Sequence, residues 1–321
     1  MRRGAVLAAT IALTGCPPRA PTAADAGARD APSVDVQVAP DVPHTTVGTG
    51  AQGPWHDDRL AGAAVSPAVA LDDGRVVGLV AVPAASPTHA RLSWVSWGAQ
   101  GATILAQTDG PPMAPGAAIA LLPRDGGWTA VWAGETLDAG SVARAVDLTP
   151  TGFAGAARAP TEAEGTAAQW ARDAMARRSR DRLELPPLAT ARGGVAVETR
   201  GATTIVRVEG EEVLRGADLQ GYAHALDVGA RGDTRWLALS RGRCRDARVE
   251  LWAVRGGRAT QRASFPIGVE VGVRWLRVEP SARAVVLTWY QDLIPLRIPC
   301  ARGDGGATTR DHGVRVAAVV E

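Results

Sequence analysis

One unit recurs five times along this sequence: a short apolar run, a polar turn rich in Gly and Asp, then a stronger run of alternating apolar residues. The first copy reads Val65-to-Leu71, Asp72-Asp73-Gly74, Val76-to-Val82, and the second Ala117-to-Leu122, Arg124-Asp125-Gly126-Gly127, Trp128-to-Trp132. The third runs from Leu185 through Arg192-Gly193-Gly194 to Val195–Thr199, the fourth from Ala223 to Ser240, and the fifth from Val273 to Tyr290. Short alternating runs bounded by turn residues predict half-buried strands. In the first four copies two further runs follow, such as Leu92-to-Trp97 with Thr103-to-Gln107, or Val249-to-Val254 with Thr260-to-Phe265. Each copy therefore supplies about four strands, a sheet with two faces that cannot bury both alone. The copies must pack on one another.

Repeats of this size and strand content resemble β-propeller blades. The resemblance implies an all-β fold, a five-bladed β-propeller-like domain with one inserted helix; paired β-sandwiches would use the same strand spacing. Trp128, Trp132, Trp236 and Trp289 fall in the second run of their copies, and Trp94, Trp97 and Trp252 in the third. Large rings at strand positions are expected to fill the sheet interfaces. The helix is predicted over 161–182: Thr161-x-x-Glu164 is a capping box, and Ala167, Trp170, Ala171, Ala174 and Met175 form an apolar stripe at helical spacing. Pro186 and Pro187 stop it.

The N-terminus departs from this pattern. Arg2 and Arg3 precede a small, apolar stretch that ends in Leu13-Thr14-Gly15-Cys16, the order of parts in a secretory signal. Leu-Thr-Gly-Cys resembles the lipobox of bacterial lipoproteins. That resemblance implies cleavage after residue 15, acyl chains on Cys16 holding the protein to a membrane, and a place in the bacterial cell envelope, periplasmic or surface-facing. Pro17, rather than Asp, follows the Cys and points to the outer membrane. Residues 16–54, with seven prolines interleaved among Ala, Asp, Thr and Val, read as a flexible spacer of roughly 35 Å end to end. The globular domain is expected over 55–321. Gly48-x-Gly50-x-x-Gly53 matches a dinucleotide fingerprint only formally, because no strand precedes it and Pro54 follows.

Function is less legible. No apolar run reaches the length of a spanning helix. Removing residues 1–15, which hold two of the 35 basic residues and no acid, balances charge against the 33 acidic residues, so a nucleic-acid partner is not expected. No cofactor motif is present, and no cofactor is expected. Trp55-His56-Asp57-Asp58 is the one local metal-like cluster, with His56, Asp57 and Asp58 as weak candidates. Some five-bladed propellers are glycoside hydrolases, which need two carboxylates about 5–10 Å apart at the axis. Here the first runs are nearly bare of acids, leaving Asp227 and Glu279, with Glu198 on a second run. Cys244 and Cys300 form a candidate disulfide if Val314-to-Val320, not Leu293-to-Pro299, is the third strand of the last copy. The fourth strand of that blade would then come from near residue 55. The resulting expectation is a lipid-anchored, non-catalytic binding or assembly module for an envelope protein or glycan; a membrane-tethered carbohydrate-active enzyme is the alternative.

Overall fold

The computed structural model describes residues 37–38, 50–60, 63–83, 89–111, 113, 119–136, 140–168, 194–200, 203–216, 226–242, 247–267, 271–293 and 313–320. All belong to one unit, Val34–Glu321. Cys16, Cys244 and Cys300 lie outside these residues, as do the first strand expected in the third copy and most of the predicted helix.

Alternation in the sequence becomes antiparallel pairing in the structure. Two strands precede the first copy, β1 (Gln37–Val38) and β2 (Gly50–Trp55). Blade 1 contains β3 (Ala64–Val65), β4 (Val69–Ala70), β5 (Val76–Pro83), β6 (Ala90–Gly98) and β7 (Gly101–Gly110). Blade 2 contains β8 (Ala120–Arg124), β9 (Gly127–Thr136), β10 (Gly140–Thr149) and the short β11 (Gly152–Phe153). Three strands describe blade 3: β12 (Val195–Arg200), β13 (Thr203–Val208) and β14 (Glu211–Gly216). Blade 4 is β15 (Leu226–Arg231), β16 (Thr234–Arg241), β17 (Arg248–Arg255) and β18 (Arg258–Pro266). Blade 5 is β19 (Val271–Pro280), β20 (Val285–Leu293) and β21 (Gly313–Val320), completed by β2 from the other end of the chain.

Within blades 2, 3 and 4 sequential strands are neighbours, so the described strands of these blades form meanders, whereas blade 1 adds β1 beside β7 and carries both β3 and β4 on β5. The five sheets make the domain all-β and propeller-like, with five blades and, among the described residues, one inserted α-helix besides the short 3-10 turn Asp58–Leu60. In blade 5, β20 pairs directly with β21, which makes Gly313–Val320 the third strand. β21 then pairs with β2, from Gly50 opposite Val320 to Trp55 opposite Val316. The first described strand of the closing blade therefore starts inside the stretch read as spacer. Gly53 explains the bulge on β2: its φ is +94°, and a Cβ there would lie 2.8 Å from the Val316 carbonyl oxygen.

Apolar clusters join the blades two by two. Leu79, Leu92 and Trp94 of blade 1 pack with Ala130, Trp132 and Leu148 of blade 2. Val76, Val95 and Trp97 of blade 1 share a second cluster with Trp275, Val286 and Val316 of blade 5. Blades 4 and 5 meet through Trp236, Leu251, Leu276 and Trp289, and blades 3 and 4 through Val206, Val228 and Leu237. Trp94, Trp97, Trp132, Trp236 and Trp289 are the largest fully buried side chains, so these rings are core, as their strand positions predict.

Two local expectations need correction. Val65-to-Leu71 is not one strand but two short pairings on β5, because Pro67 has no N–H to donate. Buried Ser66 mends the break: its hydroxyl accepts the Leu79 N–H at 2.9 Å and donates to the Pro67 carbonyl at 2.8 Å. The freed Ala68 N–H donates across to Thr288 Oγ1 of blade 5, so the interruption becomes a tie between blades. The helix, described over 162–168, starts at the expected capping box. Thr161 N–H donates to Glu164 Oε2 at 2.7 Å, and Glu164 N–H to Thr161 Oγ1 at 3.4 Å. It packs on Val131 and Ala145 of blade 2 through Ala168 rather than the half-buried Ala167.

Candidate functional site

The carboxylates flagged in the sequence are tied into the fold. Asp227 leaves β15 fully buried, and its Oδ2 accepts the Val278 N–H of β19 at 2.9 Å. An acid on a first strand, which could have faced an axial channel, instead clamps blade 4 to blade 5. Glu279 sits half-buried at the end of β19. Glu198 on β12 accepts from Arg207 Nε and Arg200 Nη2, each at 3.0 Å. Glu212 continues this ladder to Arg215, whose hydrogen bonds lower the Glu212 pKa. The ladder lies on the flank of blade 3.

The Trp55-His56-Asp57-Asp58 cluster also divides. His56 Nε2 and Asp58 Oδ1 are 3.8 Å apart and well exposed, a weak surface pair. Asp57 turns inward. Its oxygens accept the Arg59 backbone N–H at 3.0 Å, Arg59 Nε at 2.8 Å and the Ala102 N–H at 3.1 Å. Hydrogen bonding from the Arg59 side chain holds this carboxyl below the usual carboxylate range; burial pushes the other way, and the Ala102 and Arg59 amides reinforce the lowering. Arg59 in turn reaches the Ala102 carbonyl at 3.1 Å, pinning the domain entry to the β6–β7 hairpin. Gly101, at φ +91°, permits this approach, since a Cβ there would lie 3.0 Å from Asp57 Oδ2. Among the described residues no three His, Cys, Asp or Glu side chains gather as a metal would require.

This entry turn forms one wall of a cleft of about 470 Å³ beside blade 1. Leu60, Val82, Val95 and Ile104 supply its apolar lining, and Arg59, Arg91, Ser93 and Gln107 its polar groups. The Gln107 amide donates to Ser93 Oγ at 3.0 Å, and Arg91 lies 3.9 Å from Asp109. Asp57 is the one carboxylate among the described lining residues, and it already accepts several donors. Guanidinium, amide and hydroxyl groups over an apolar floor suit recognition of a polar or acidic ligand.

Sequence reasoning missed two ionic centres, one buried and one partly exposed. Glu250 of β17 is 1% exposed and accepts from Arg241 Nε at 2.9 Å, Arg248 Nε at 2.7 Å and Trp252 Nε1 at 3.0 Å. It pins both ends of the connection that carries Cys244. The signal was an acid at an inward strand position with Arg two residues before it. The second centre joins Asp147, Arg124, Arg158 and Glu164, fixing the helix start to β10. Hydrogen bonds from Arg158 pull the Glu164 carboxyl down to about 2.

No family description matches the sequence, and no curated protein matches it. Solved structures to which this chain is similar include the catalytic domain of a Coprinopsis cinerea GH62 α-L-arabinofuranosidase, at 11% identity and TM-score 0.33, covering 84% of this chain and 96% of that one. A Bombyx mori GH32 β-fructofuranosidase is 8% identical with TM-score 0.29, covering 82% of this chain and 61% of that one. A tail fiber of Staphylococcus aureus phage P68 is 8% identical with TM-score 0.30, covering 89% and 53%. The five-sheet topology, not these distant likenesses, carries the fold assignment.

Proposed function

We propose that this protein is a lipid-anchored component of the bacterial cell envelope whose propeller-like domain is a non-catalytic binding or assembly module. The observation that carries the reading is the contrast between its carboxylates and its cleft. Asp227 is fully buried in a clamp between blades, Asp57 is consumed by Arg59 and Ala102, and Glu198 is paired with two arginines. The cleft beside blade 1 instead presents exposed donors over apolar side chains. The anchor rests on Leu13-Thr14-Gly15-Cys16, with the Pro-rich stretch after it giving the domain reach. The partner is an envelope protein or glycan with acidic or polar groups that complement Arg59 and Arg91.

A disulfide between Cys244 and Cys300 belongs to the same reading. Cys244 falls in the connection between β16 and β17, and Cys300 in that between β20 and β21. Both connections run from the second to the third strand of their blades, the chain order that such a pairing requires. The exported environment favours oxidation. Mass analysis is expected to find neither Cys as a free thiol; two free thiols in exported protein would remove the bridge.

Metabolic labelling with an alkyne fatty acid in a bacterial host tests the anchor. Label incorporated by the intact chain and lost in Cys16→Ala supports it, and equal label in both overturns it. Hydrolysis of a glycan panel by the purified domain would replace the binding reading with the enzymatic one.

A further inference from the structure

Outer strands of the blades are edges, and two of them are protected by charge. β14 carries Glu211, Glu212 and Arg215, and β18 carries Arg258 and Arg262. Charges on an edge discourage the addition of another strand. β7 differs. It runs ten residues, Gly101–Gly110, with Asp109 as its only charge, and Ile104 on it is 42% exposed, the one large apolar side chain so exposed among the described residues. This edge already holds a strand: β1 pairs antiparallel to it, Gln37 opposite Gln107 and Val38 opposite Ala106. β1 covers two of the ten residues, and among the described residues no other strand lies on that side.

We propose that the outer edge of β7, with the cleft beside it, is a strand-addition site whose occupant is the chain's own N-terminal spacer, seated through Gln37–Val38. Three observations select this occupant. β1 is a piece of the spacer and is already in place. Its antiparallel register directs the chain leaving Val38 toward the Gly101 end of β7, where Arg59 lines the cleft. The residues that come next in sequence include Asp41 and Val42, which match a basic rim and an apolar floor. Being on the same chain, the spacer also meets the edge at high effective concentration. Main-chain hydrogen bonds would hold it and the cleft would select its side chains, the division of labour in strand addition generally. One consequence rests on the anchored reading above: a docked spacer shortens the tether and competes with the partner for the cleft, so spacer docking and partner binding exclude one another.

Amide hydrogen exchange on the full chain carrying Cys16→Ser reads the docking whether or not the natural protein is lipidated, so failure of the anchor and failure of the docking are separable. Gln37→Pro with Val38→Pro removes both N–H groups of β1 without touching a blade. Exchange across residues 104–108 is expected to rise about tenfold while β5 and β6 stay protected, a factor set by opening of the edge pairing. A synthetic peptide of residues 33–43 added to that variant should restore protection. Ile104→Arg, a charge placed on the edge, should release the spacer in the same way. Unchanged exchange in the double-proline chain overturns the proposal whatever Ile104→Arg does. Protection that grows with protein concentration also overturns it, since a second copy would then be the occupant.

Discussion

The seam between blades 4 and 5 and the outer side of blade 1 use the same residue types to opposite ends. At the seam a carboxylate, Asp227, is withdrawn from water and accepts a backbone N–H of the neighbouring blade, in an interface that also buries Trp236 and Trp289. Beside blade 1, Arg59 keeps its guanidinium 75% exposed while Asp57 beneath it is only 6% exposed. What separates the two is whether the polar group ends at a neighbouring blade or at solvent. A carboxylate in a propeller's inner strands is thus a structural group until its accessibility is known, and a charged side chain at the rim of a cleft is available for recognition.

The sharpest way to break this comparison is to cut the seam. Trp289→Ala removes a fully buried ring from the blade 4–5 cluster and is expected to cost about 3–5 kcal/mol, enough to bring the thermal transition down by many degrees in circular dichroism. A loss below about 1 kcal/mol would mean that the seam is not the packed core described here. Asp227→Ala should come next. It leaves the buried Val278 N–H without this acceptor and is expected to cost about 1–3 kcal/mol in urea unfolding, with Asp227→Asn recovering part of the loss through its amide oxygen.

How much of this was readable beforehand follows from what periodicity encodes. The strands of blade 4 match their apolar runs to within about a residue or two at most ends, because alternation and Gly turns report a half-buried sheet directly. The choice of Val314-to-Val320 as third strand of the last blade, with closure from near residue 55, was one of two open arrangements and is the one the structure adopts. Pro67 could have warned that its run would break. Asp227 could not be placed from sequence, since an inner strand position is compatible with either a channel or a neighbouring blade. Glu250 was hidden for a related reason: its burial depends on Arg241 and Arg248 arriving from two strands. The pairing of Gln37–Val38 with β7 had a sequence signal, since Ser33-Val34-Asp35-Val36-Gln37-Val38 alternates polar and apolar residues, but the Pro-rich setting of that run reads as spacer.

A smaller effect should appear with acid at the helix start. Arg158 holds the folded Glu164 carboxyl at about 2, against an ordinary value of 4.5. A depressed carboxyl stabilises the fold fully above the ordinary value, and that contribution is lost as pH falls from about 5 toward about 2. In Glu164→Gln the midpoint of thermal unfolding should fall less steeply over this range than in the natural chain. An identical slope would remove Glu164 from the account. The smallest effect belongs to the cleft: Arg59→Ala is expected to change stability by less than about 1 kcal/mol, since its pair with Asp57 is largely exposed on the Arg side. The same substitution should weaken partner binding, which is where the two regions part.

The most direct test of the central claim is cross-linked capture from native membranes, with the recovered partner quantified for the intact chain, Cys16→Ala, Arg59→Glu and Asp227→Asn side by side. A binding module anchored at Cys16 and reading its partner through blade 1 predicts one stoichiometric envelope partner for the intact and Asp227→Asn chains. Recovery should collapse in Cys16→Ala and in Arg59→Glu. Equal recovery from all four chains, or loss in Asp227→Asn alone with the fold intact, would contradict it.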